Sequence, residues 1–196
     1  MRWAFSFVMA LKPGGIPVFP PYEGNLVRLR AVEPEDEPLL YEWFNDWQVT
    51  ENLMLRYPVS HASERDFLES TRQPNYEKAH FAVVRKETGQ LIGGATLEAP
   101  QPELRQGTLG IAIGDKTSWD RGYGTDTMRT LCRFGFAMMN LHRIQLEVYA
   151  ENERARKVYE RVGFQVEGVR REAMYKWGRY MDVVMMGLLE GELVLE

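Results

Sequence analysis

The chain has one cysteine, Cys132, among 196 residues. It therefore cannot close an internal disulfide and offers no Cys cluster to zinc, and its composition suits a reducing, cytoplasmic setting. Histidine is nearly as scarce: His61, His80 and His142 lie far apart and match no ligand spacing, so no metal is expected. A basic excess is also missing. Lys and Arg number 24 against 28 Asp and Glu, a net charge of -4. This argues against a nucleic-acid partner, which usually meets a basic stripe that neutralises phosphates. No apolar run is long enough to span a bilayer. The stretch from Trp3 to Leu11 is too short and is followed by no small-residue cleavage pattern, so neither membrane insertion nor secretion is expected. Residues 1–24 read as an N-terminal extension and 25–196 as a single domain, with a start at Met9 also compatible.

What is present is enough apolar sequence, 44%, to build one substantial core. Leu26, Val27, Leu29 and Val32 interleave with Arg28 and Arg30 as a first strand. Acids and a proline open a helix over 33–44, and a second helix spans 61–71 behind Ser60 as its N-cap. The connection "NDWQVTENLMLRYPV" reads as irregular and rich in aromatics. "AHFAVVRK" and "QLIGGATLE" form a hairpin across Glu87, Thr88 and Gly89. "GTLGIAIG", residues 107–114, is a nearly all-apolar fourth strand. Met128, Leu131, Cys132, Gly135, Phe136 and Met139 then follow helical spacing as one stripe, with Asp126, Arg129 and Arg133 off it. "RIQLEVYA" is a fifth strand, and "NERARKVYERVGF" is a helix capped by Asn152 and ended at Gly163. Two further strand-like runs meet at Gly178. The order of elements predicts a mixed α/β fold.

The junction "SWDRGYGTDTM" carries the chemical signal. A strand that turns directly into a helix exposes unpaired N–H groups at the positive end of the helix dipole. Glycine at 122 and 124 removes Cβ atoms that would keep an anion away, although a tight turn without a ligand has the same sequence. A dinucleotide fingerprint would need glycine where Thr127 stands, and a P-loop would need a lysine this segment lacks.

Residues 107–168 as a whole resemble the acetyl-CoA-binding core of GNAT superfamily N-acetyltransferases, and are most similar to the branch that acetylates ribosomal-protein N-termini. The likeness runs from about Leu26 to the C-terminus. It implies a mostly antiparallel sheet of about six or seven strands flanked by helices. In the family a Q/R-x-x-G-x-G/A segment wraps the CoA diphosphate; here it falls on Trp119 to Gly124, with Trp119 in place of the usual Gln or Arg. The resemblance implies acetyl-CoA contacts from Arg121, Gly122, Tyr123, Gly124 and Thr125, from the strand backbone at Ile111, Ala112 and Ile113, and from Asn152 and Ala155.

It also implies direct transfer of the acetyl group to an amine, with Tyr159 near the thioester sulfur as general acid. Helical spacing alone would make Tyr159 a core residue, since it shares a stripe with Ala155, Val158 and Val162. Cys132 lies on an apolar stripe and reads as packing, not as a nucleophile. Relatives often carry a glutamate base at the start of the fourth strand, where this chain has Thr108. Glu98, Glu103, Glu147 and Asp182 are the substitutes considered, although surface carboxylates are usually solvated. Trp43, Phe44 and Trp47 are placed to line an acceptor pocket or to join the core, and His142 reads as a helix-end or packing residue. The expected acceptor is the α-amino group of a protein or peptide. Alternatives are spermidine or another small amine, and a non-catalytic CoA-binding module. A homodimer is compatible with the chain.

Overall fold

The structure, a computed structural model, describes residues 20–71 and 76–195; most of the expected N-terminal extension, residues 1–19, lies outside the described residues. Seven strands form one sheet: β1 (Val27–Arg30), β2 (Lys78–Arg85), β3 (Leu91–Glu98), β4 (Gln106–Ile113), β5 (Arg143–Tyr149), β6 (Gln165–Lys176) and β7 (Arg179–Leu189). Their order across the sheet is β1-β2-β3-β4-β5-β7-β6. Every neighbouring pair is antiparallel except β4 and β5. Five helices, α1 (Glu37–Asn45), α2 (Trp47–Thr50), α3 (His61–Thr71), α4 (Tyr123–Met138) and α5 (Glu153–Val162), accompany it.

Side chains alternate across a strand, so each strand feeds two cores. Val83 of β2 joins Ile92, Leu97, Ile144 and Leu146 under α4, while its neighbours Ala82 and Val84 face Leu40, Trp43 and Leu68 of α1 and α3. Both faces of β2 and β3 are thus covered, which explains their nearly continuous apolar sequence.

Two local expectations change. The helix expected from residue 33 begins as a single 3-10 turn, Pro34–Asp36, before α1 takes over at Glu37. Inside the connection that read as irregular lies α2, whose four residues are too few to show a period; the Asp46 carboxylate caps it by accepting the Gln48 N–H at 2.9 Å. Ser60 does cap α3, its Oγ accepting the Ser63 N–H at 3.0 Å.

The α4 stripe is buried where its spacing placed it: Met128, Leu131 and Cys132 are inaccessible, and Phe136 and Met139 nearly so. Asp126, which the pattern set off the stripe, is also buried. Its carboxylate accepts three backbone N–H groups, from Asn25 at 3.0 Å, Leu26 at 2.7 Å and Val27 at 2.9 Å. The first turn of α4 is thereby tied to the start of β1, and a Cβ at Gly24 would sit 2.3 Å from the same carboxylate. A spacing argument misses this residue because its partner is backbone a hundred positions away.

Asp126→Ala should leave those amides without their acceptor and cost roughly 3 kcal/mol. Thermal and urea unfolding of the variant would measure this, with Asp126→Asn, which keeps one acceptor oxygen, recovering part of the loss. Wild-type stability in Asp126→Ala would show that the tie carries no weight.

Candidate active site

The parallel pairing of β4 with β5 lasts three residues, Gln106↔Arg143, Gly107↔Ile144 and Thr108↔Gln145. Beyond Thr108, β4 continues against β3 alone while β5 continues against β7. The strands diverge, and among the described residues no strand pairs with the β4 backbone from Leu109 to Ile113 on its β5 side. Backbone N–H and C=O groups are obligatory hydrogen-bonding groups, so this edge is a template for an extended ligand.

A cleft of about 780 Å³ opens at the divergence. One wall is the end of β4, with Ile111, Ala112 and Ile113; the floor is the glycine turn; the far side is α5. The segment from Trp47 to Leu53 closes the opposite side. A second cavity of about 710 Å³ lies beside β2 and α3, lined by Phe81, Phe134, His80 and Arg65, and contains none of the residues to which the resemblance assigned a cofactor or catalytic role.

The glycine turn is built for close approach. Gly122 is the N-cap of α4 with φ +85°, a left-handed conformation that a side chain would strain. The first intrahelical bond runs from the Asp126 N–H to the Gly122 carbonyl at 3.0 Å. The N–H groups of Tyr123, Gly124 and Thr125 therefore precede the helical ladder. A Cβ at Gly124 would meet nothing within 4 Å, so the glycine keeps open space open. Gly122, Gly124 and Thr125 line the cleft, whereas Arg121 and Tyr123 are not in its wall. The Arg121 side chain is exposed, and the Tyr123 ring lies under the Arg85 guanidinium at 5.5 Å.

The loop into this turn is braced from both sides. Arg85 of β2 reaches Asp115 at 2.8 Å, Thr117 at 2.8 Å and Ser118 at 3.0 Å. The Trp119 indole N–H donates to the Ile113 carbonyl at 2.8 Å. The tryptophan that replaces the customary Gln or Arg thus pins the turn to the last residue of β4.

On the α5 side Asn152 is the N-cap, its Oδ1 accepting the Ala155 N–H at 3.0 Å. That bond occupies the oxygen and leaves the amide NH2 as donor. Asn152, Ala155 and Tyr159 all line the cleft. Arg154, Lys157 and Arg161 add a cationic rim on the same helix, Arg154 lying over the Trp119 ring and pairing with Asp120. Tyr159 packs against the main core and lies 6.1 Å from the Phe164 ring, so the packing and cleft-lining roles coexist. Burial pushes its phenol up to about 12.

The four carboxylates considered as bases are not in the cleft wall. Glu98 and Glu103 are exposed. Glu147 pairs with Arg170, and Asp182 accepts the Glu172 N–H at 2.8 Å. Strand alternation and register carry Glu98, Glu147 and Asp182 elsewhere, and Glu103 lies on a 3-10 turn, Pro102–Leu104. The carboxylates that do line the cleft, Glu51 just past α2, Asp120 and Glu153, were not among those considered. Of the three aromatics, Trp43 is core, Phe44 packs beside it, and Trp47 lines the cleft at 68% exposure. His142 lies exposed beyond the end of α4. Cys132 is wholly buried, which raises its thiol pKa and removes it as a nucleophile.

The arrangement combines an unpaired strand edge, N–H groups at a glycine turn, and a half-buried tyrosine in the cleft wall. It fits a long ligand with an anionic end and an amide-bearing arm. Comparison with known proteins identifies that ligand. The acetyltransferase (GNAT) domain family matches residues 27–165. The uncharacterized N-acetyltransferase p20 of Bacillus licheniformis is 28% identical over 84% of this chain and 93% of its own length. YdaF of Bacillus subtilis, whose name proposes a ribosomal N-acetyltransferase, is 27% identical over 85% of the chain and 92% of its own. The crystal structure of spermidine N-acetyltransferase from Vibrio cholerae, in complex with CoA and spermine, superposes with a TM-score of 0.79 at 25% identity, covering 85% of this chain and 97% of that one. The chain belongs to the acetyltransferase (GNAT) family and is an N-acetyltransferase whose acyl donor is acetyl-CoA.

Proposed function

We propose that the acceptor is a primary amine and, more specifically, the α-amino group of a protein or peptide. The observation that carries this reading is the chemistry of the Trp47–Leu53 wall. It presents apolar and neutral polar side chains around a single carboxylate, Glu51. One carboxylate matches one ammonium flanked by neutral peptide groups, whereas a polyamine carries several charges and favours several counter-charges. YdaF supports this acceptor class. The spermidine enzymes support the second reading, a small polyamine, and similarity to them is comparable.

In this reading the β4 edge at Ile111, Ala112 and Ile113 takes the amide-bearing arm as an added strand, and its N–H groups polarise the acyl carbonyl. The amides of 123–125 and the Asn152 NH2 hold the diphosphate. Acetyl-CoA supplies an activated thioester. Attack by the neutral amine forms a C–N bond and breaks the C–S bond; the nitrogen sheds a proton and the sulfur takes one up. Glu51 is the carboxylate on the acceptor side able to accept that proton. Tyr159 faces the sulfur. With its pKa near 12 it is a weaker acid than an ordinary thiol, so its main contribution is a hydrogen bond to charge developing on sulfur.

Three outcomes follow. Tyr159→Phe should lower kcat by about 10²-fold with acetyl-CoA affinity little changed. Because burial raises the phenol pKa, the protonated form persists well into alkali, and the wild-type to variant ratio should stay level from about pH 6.5 to 9.5. A ratio that collapses toward 1 within that range would show the phenol ionising there, against the raised pKa, and a ratio near 1 throughout would remove Tyr159 from the chemistry. Gly124→Val, which places methyl groups in open space without requiring a positive φ, should fold normally and bind acetyl-CoA weakly by calorimetry. Normal affinity in a folded Gly124→Val protein would remove the diphosphate from this turn. Mass spectrometry with peptides bearing free or blocked N-termini, and with spermidine, should find acetylation of free peptide α-amines. Spermidine preferred over every peptide would establish the second reading.

A further inference from the structure

The acceptor-side wall is the least self-supporting part of the cleft. The segment from Trp47 to Leu53 belongs to no strand, and its only regular structure is the four-residue α2. Its N-terminal end is clamped by Lys116, whose ammonium reaches Asp46 and Gln48 at 2.5 Å. Its C-terminal end is held from another part of the fold. Lys176, the last residue of β6, donates from Nζ to the carbonyls of Thr50 at 2.8 Å, Glu51 at 3.2 Å and Leu53 at 2.8 Å. An ammonium has three donors and no acceptor, so three carbonyls saturate it. The cage is completed by two aromatic faces, with Nζ 4.6 Å from the Trp177 ring centroid and 5.8 Å from that of Tyr149. The Tyr149 hydroxyl also donates to the Leu53 carbonyl at 3.4 Å, and Arg56 contacts Met174.

Two of the three caged carbonyls belong to Glu51 and Leu53, which line the cleft. A displacement of the cage would carry Glu51 with it, while the β4 edge, the glycine turn and α5 are supported separately by β3, Arg85 and the main core. We infer that Lys176 is a positioning residue for the acceptor: its carbonyl cage ties the Trp47–Leu53 wall to the β6–β7 hairpin and sets where Glu51 meets the incoming amine. This rests on the cleft reading above, with acetyl-CoA along β4 and the acceptor along the Trp47–Leu53 wall.

The test compares Lys176→Met, which keeps an apolar stem and removes the ammonium, with Lys176→Arg, which restores a cation with several donors. With a free-N-terminal peptide as the probe acceptor, Lys176→Met should raise its KM about tenfold, with a smaller change in kcat and an unchanged calorimetric Kd for acetyl-CoA. Lys176→Arg should recover most of the loss. Trypsin cleavage after the exposed Arg56 should accelerate in Lys176→Met, a readout that needs no activity. An unchanged acceptor KM, an equal loss of acetyl-CoA affinity, or an arginine variant no better than methionine would overturn the inference. If the wild-type protein acetylates no peptide, the acceptor reading fails by itself; wild-type cleavage at Arg56 in Lys176→Met would then overturn the anchoring.

Discussion

Ending the β4–β5 ladder after Thr108 is the constraint on which the cleft depends. A closed sheet would have paired the β4 backbone with β5 and left no strand edge in the interior. Divergence instead sends the two strands to different neighbours, and the space between them becomes the cleft. The α-helices that follow β4 and β5 begin in its wall, so two helix N-termini, those of α4 and α5, line the same cleft. Backbone N–H groups, with the cationic rim of Arg154, Lys157 and Arg161 beside them, are the groups we propose for the anionic end of the ligand.

Such a site works only if the backbone is held still. The turn at Gly122 is fixed below by the buried α4 stripe, on one side by Asp126 and β1, and on the other by Arg85 and Trp119. The wall we propose for the acceptor is different in kind. It is a short helix and its flanks, clamped by Lys116 at one end and Lys176 at the other. The proposed donor site is thus built into the sheet and main core, while the proposed acceptor wall is attached to them through charged side chains.

Local patterns were legible wherever the signal and its cause lie close together in the chain. The α4 stripe, the Asn152 cap, the Ser60 cap and the Gly122–Gly124 turn all follow from residues a few positions apart. The mixed α/β order and the number of strands followed from the same periodicities together with the resemblance to a known family. What the sequence did not display was long-range. Asp126 is buried by amides of residues 25–27, Lys176 is bound by carbonyls of residues 50–53, and Trp119 serves β4 through its indole N–H. The carboxylates weighed as bases failed for the same reason: Glu98, Glu147 and Asp182 sit on strands and Glu103 on a 3-10 turn outside the cleft wall, while Glu51 enters from a segment with no readable pattern.

The central claim is that the β4 edge and the glycine turn together receive acetyl-CoA. Hydrogen exchange read by mass spectrometry, with and without saturating acetyl-CoA, tests it without any assumption about the acceptor. The account predicts slower exchange in two separate stretches, the β4 edge around 109–113 and the turn around 121–126, with little change along β6 and β7. Binding of acetyl-CoA that leaves both stretches exchanging at their free rates would contradict it.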